Sequence, residues 1–92
     1  MIVRISTEGQ YELSDADAET LNELDNDAVL ASESGDAPAF HSIFSQMLEL
    51  VRTRGRSLAA DDLSGSDIIL PPADISLEEA RQEFQGDGLI PG

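Results

Sequence analysis

The chain has 92 residues, enough for one core but short for a deep catalytic cleft. Its 19 acidic and five basic residues give a formal charge of −14, and every base is an arginine. That balance speaks against binding nucleic acid or docking directly on an anionic leaflet, and the lack of cysteine excludes disulfides, thiolate chemistry and cysteine-ligated metals.

Residues 1–13 read as a β-hairpin. Ile2-Val3-Arg4-Ile5 is rich in β-branched residues, Glu8-Gly9 is a turn signal, and Tyr11 and Leu13 alternate with Gln10 and Glu12. An isolated hairpin is marginal in water, so it is expected to pack on helices.

A first helix is expected over about 15–33. Ser14 is its N-cap, with Asp17 three residues on as an acidic variant of the capping box, and Ser34-Gly35 is its stop. Leu21, Leu24, Ala28 and Ala31 share one face of it, while Leu30 falls on the opposite face, as a surface residue or a second contact. The Asp15-Ala16-Asp17-Ala18-Glu19 run superficially resembles a calcium loop. Thr20 stands where such a loop needs glycine, and the segment begins a helix, so no calcium site is expected.

The central helix is expected over 37–54. Phe40, Ile43, Phe44, Met47, Leu48 and Val51 recur at the spacing of one helix face, and Ala39 and Leu50 widen the stripe. A stripe that wide needs more than one packing partner. Asp36 is the expected N-cap, Pro38 sits harmlessly in the first turn, Arg52 and Arg54 complement the dipole, and Gly55 is the expected C′ residue. The short link between the two helices predicts an antiparallel αα-hairpin.

Residues 56–75 show no helical period and read as a strap across the core, within which Asp67 to Leu70 suits a short strand ended by Pro71 and Pro72. A third helix is expected over about 77–85, opened by a full capping box of Ser76 and Glu79 and stapled by Ile75 onto Ala80. Leu77, Ala80, Arg81 and Phe84 mark its inner edge, and residues 86–92 form a tail carrying the apolar pair Leu89-Ile90. The fold class expected from these elements is α+β and mostly helical, with a hairpin and three helices in one domain spanning 1–92.

The opening MIVRIS shows no secretory-signal pattern, and the apolar run Ile68-Ile69-Leu70 is far shorter than the ~20 residues of a bilayer span. A cytoplasmic chain without membrane insertion is expected. The acidic, lysine-free surface fits work in concentrated salt, where the Debye length falls to about 3 Å at 1 M, and so predicts a halophilic source. A high-GC genome that favours Arg and Ala is the plain alternative.

Chemistry is sparse. His41, the one histidine, has no Ser or Cys nucleophile at a recognisable motif position, and no acid–base pair stands out, so no catalytic residue, cofactor or metal site is expected. Arg52, Arg54 and Arg56 form a positive cluster in an acid-free window from Leu50 to Ala60. They either complement the helix dipole and pair with the chain's own acids, or they meet an acidic face of a partner. With too few positive charges for a phosphate-binding stripe, nucleic acid is a poor candidate.

MIVRI at the start, EGQYEL, LNELDN, the GD before the central helix, MLELVR with a following Gly, SDIILPPADISLEEAR and the closing GDGLIPG, taken in that order, resemble the PspA-associated protein family, PspAA, from residue 1 to residue 92. The resemblance implies a small, mostly helical, non-enzymatic protein that works with PspA, a helical membrane-remodelling protein of the phage-shock envelope-stress response; the charge adds an adaptor's manner of action, and with the salt-adapted composition a halophilic archaeon is the expected source. The expected partner is a PspA-like coiled-coil protein, which would recruit the chain to the inner face of the membrane. The expected contact residues are Arg52, Arg54 and Arg56, with Leu30, Leu89 and Ile90 as apolar anchors. The rival expectation is an acidic decoy that occupies the site of a basic or nucleic-acid-binding protein.

Overall fold

The computed structural model describes residues 1–6, 8–58 and 65–83. In chain order the elements are β1 (Ile2–Ile5), β2 (Gly9–Glu12), α1 (Asp15–Ser34), α2 (Ala37–Arg54), β3 (Arg56–Ser57), β4 (Ile68–Leu70) and α3 (Leu77–Glu83). The expected α+β class, hairpin and three helices are all present among the described residues.

Caps fix the helix boundaries much as the sequence predicts. The Ser14 hydroxyl accepts from the Asp17 N–H at 3.2 Å and donates to its carboxylate, closing the acidic capping box. Asp36 accepts from the Ala39 N–H at 3.1 Å and starts α2. Between the two helices Gly35 adopts a left-handed conformation, with φ 74°. Its N–H bonds the Ser32 carbonyl and the Asp36 N–H bonds that of Ala31, a Schellman stop that reverses the chain in a few residues. α1 and α2 therefore lie side by side as an antiparallel hairpin.

Gly55 follows the last residue of α2, as expected, and its N–H bonds the Val51 carbonyl, but at φ −75°, ψ 147° it is extended rather than left-handed. The reason is that the chain passes straight from α2 into β3 and needs extended backbone at the junction. The expected strap of 56–75 carries a strand at each of its described ends. Arg56 and Ser57 pair antiparallel with Glu12 and Tyr11, so the segment begins as a strand. The expected strand near its end is present as β4, parallel to β1, with Val3 opposite Ile68 and Ile5 opposite Leu70. Residues 59–64, between them, lie outside the described residues, as do Phe84 and Gln85 of the expected third helix.

The sheet order is β3-β2-β1-β4, with β1 and β2 antiparallel. Alternation sends Val3, Ile5, Ile68 and Leu70 into the core and leaves Arg4 and Ile69 on the outer face. The α2 stripe meets the inner face: Phe40, Phe44, Met47, Leu48 and Val51 are buried, with Ile43, Ala39 and Leu50 partly covered. α3 packs on α1, where the Arg81 Nε donates to the Ser32 carbonyl at 3.0 Å. α1 has no basic residue in its last turn, so this arginine from another helix supplies the positive charge its C-terminus favours.

Candidate functional site

α2 carries Arg52 and Arg54 in its last turn and delivers Arg56 into β3, so the three arginines share one end of the molecule. The β1–β2 hairpin brings two carboxylates to the same end. Arg52 holds Glu8 in a bidentate pair, its Nε donating to Oε1 at 2.8 Å and its second guanidinium nitrogen to Oε2. Arg56 pairs with Glu12 at 2.8 Å across the β2–β3 ladder. Both acids lie 44 residues away in sequence. Arg54 is exposed and makes no ion pair among the described residues.

The side-chain hydrogen bond from Arg52 holds the Glu8 carboxyl below the ordinary carboxylate value, and the same bond raises the Arg52 guanidinium. A depressed carboxylate stabilises the fold above its unfolded value, near 4.5, and loses that contribution as pH falls through its folded value. The stability gap between wild type and Glu8→Gln, read by urea denaturation across pH, is therefore expected to be widest near neutrality and to close in acid. A gap that does not change with pH would contradict this pairing.

Leu30 is 65% exposed on α1. It sits near the α1–α2 turn, whereas Arg54 ends α2, so at about 1.5 Å per residue the two stand roughly 20 Å apart along the helix hairpin. The structure thus brings the arginines together and leaves Leu30 apart from them. Leu89 and Ile90 lie outside the described residues. His41 is exposed, its ring edge-on to Phe40 at 5.5 Å, and the Asp15–Glu19 run forms the first turns of α1.

Two features escape the sequence reading. Asp25 is fully buried on α1, and Ser32 is 1% exposed where α3 crosses. The spacing of Leu21, Asp25, Ala28 and Ser32 places all four on one helical face, and this is the signal that would have found them. Among the described residues no helix is long and apolar enough to cross a membrane.

In comparisons with known proteins, no curated protein and no solved structure matches the chain. A family model described as PspA-Associated protein matches residues 1–92.

Proposed function

The chain belongs to the PspA-associated protein family, and from that membership we propose that it is a non-enzymatic adaptor that binds a PspA-type protein in an envelope-stress response. The observation that carries the proposal is the family match over the whole chain, residues 1–92. Physical chemistry supplies the manner of action. With a formal charge of −14, the chain is repelled by anionic lipid, so it reaches the inner face of the membrane through its partner rather than by itself.

Arg52 and Arg56 face Glu8 and Glu12, whereas Arg54 has no ion-pair partner among the described residues and is the arginine we assign to an acidic position on the partner. Exposed ion pairs are worth about 0–1 kcal/mol and weaken in salt. Apolar contacts, among them Leu30 and the Leu89-Ile90 pair, then carry most of the affinity.

The test is co-purification in high salt of a PspA-type protein with tagged wild-type chain, Arg54→Glu and Leu30→Asp. Recovery by wild type with a reduced yield for either variant is expected. Recovery of a basic or nucleic-acid-binding protein in place of the PspA type would overturn the adaptor and favour an acidic decoy.

A further inference from the structure

Beyond the end of β4, a groove of about 380 Å³ opens between the sheet edge and α3. Pro71 and Ile75, both buried, form its floor, Ile69 and Pro72 stand along its wall, and Glu79 and Gln82 of α3 form its rim. Ile69 is 58% exposed, one of the two large apolar side chains exposed to that degree among the described residues. We propose that this groove, with its apolar floor and polar rim, is a further docking site for the partner, and that its occupant is a segment of the PspA-type protein pairing an apolar side chain with a cation. The inference rests on the adaptor reading and gives it a surface.

Strand addition is disfavoured there on physical grounds. β4 is an edge strand, but it is three residues long and runs into Pro71, which has no N–H to offer a ladder. The occupant must dock through its side chains. Two polar side chains of the groove are engaged within the chain: the Ser6 hydroxyl donates to the Leu70 carbonyl at 3.0 Å, and Glu79 accepts from the Ser76 hydroxyl in the α3 capping box.

Charge decides the rest. Among the described residues no arginine lines the groove, the rim carries the Glu79 carboxylate, and the whole chain is strongly acidic. An acidic or neutral polar segment would be repelled or gain nothing, whereas an apolar side chain followed by Lys or Arg satisfies floor and rim together. Glu79 also permits a clean separation of charge from folding, because glutamine serves at the same position of a capping box.

The experiment is binding of the purified full chain to the purified PspA-type protein of its source, using wild type, Ile69→Asp, Glu79→Gln and, as a control at an exposed position of a different element, Glu23→Gln on α1. Ile69→Asp is expected to weaken binding about tenfold or more, and Glu79→Gln by a few fold with a flatter salt dependence. A photo-cross-linking amino acid in place of Ile69 in the full chain identifies the occupant, with attachment to the PspA-type protein expected. Attachment instead to residues 84–92 or to a second copy would overturn the proposal. Full affinity in both groove variants, each folded by circular dichroism, would overturn the groove while leaving the adaptor intact. No binding by wild type would overturn both.

Discussion

Phe44→Ala is expected to cost about 3–5 kcal/mol, the range for truncating a fully buried Phe. Phe44 is 1% exposed and stacks on Phe40, with ring centroids 5.7 Å apart and planes at 15°. It sits in the middle of α2, the helix whose apolar stripe faces both the sheet and α1, so truncation removes contacts on more than one side. Neighbouring positions are filled by Met47, Leu48 and Phe40, themselves buried and fixed, and collapse to fill the void is limited. Urea denaturation in high salt checks this. A loss under about 1 kcal/mol would mean that α2 does not organise the core.

Gly55→Ala is the second large effect, and it arises from contact rather than from backbone conformation. At φ −75°, alanine is as comfortable there as glycine. A Cβ at this position would press on the Val51 carbonyl oxygen, lie 2.8 Å from Tyr11 Cβ and stand 3.4 Å from Leu13 Cδ2. The first two contacts involve backbone or near-backbone atoms, which cannot swing aside. Either α2 or β2 must move, at an expected cost of about 1–3 kcal/mol. Gly55 thus sets how closely the end of α2 approaches the sheet, and through it the placement of Arg54 and Arg56. Thermal melting of Gly55→Ala within error of wild type would show that this approach is looser than the structure has it.

How legible these features are in the sequence depends on how far apart their causes lie along the chain. α2 is written locally, with its stripe, Asp36 cap and flanking glycines within about twenty residues, and those signals set its bounds. β4 is nearly as plain, an apolar run stopped by two prolines. β3 leaves no local sign: Arg56 and Ser57 are exposed, polar and too few for alternation, and only the neighbouring β2 makes them a strand. Gly55 is legible as the stop of α2, but part of its need for glycine is not, since beside the local Val51 carbonyl it is Tyr11, across the fold, that leaves no room for a Cβ.

The arginine cluster shows the limit most clearly. Composition marks Arg52, Arg54 and Arg56 as a positive island, but whether each is open to a partner depends on Glu8 and Glu12, placed beside them by the hairpin register. The groove is less legible still. Ser6, Ile69, Pro72, Ile75 and Glu79 come from separate parts of the chain, and no spacing rule joins them. Leu30 is readable from periodicity alone as facing away from the core, and its exposure agrees.

Binding to a PspA-type protein, mainly through apolar contact, is tested most directly by a calorimetric titration. The purified PspA-type protein of the source is titrated into the full chain at about 0.1 M and again at about 1 M salt, where the Debye length falls from ~10 to ~3 Å. A saturable complex is expected in both conditions, with the Kd changing by less than about tenfold and a negative heat-capacity change of binding. No complex at either salt concentration would contradict an adaptor that binds this partner.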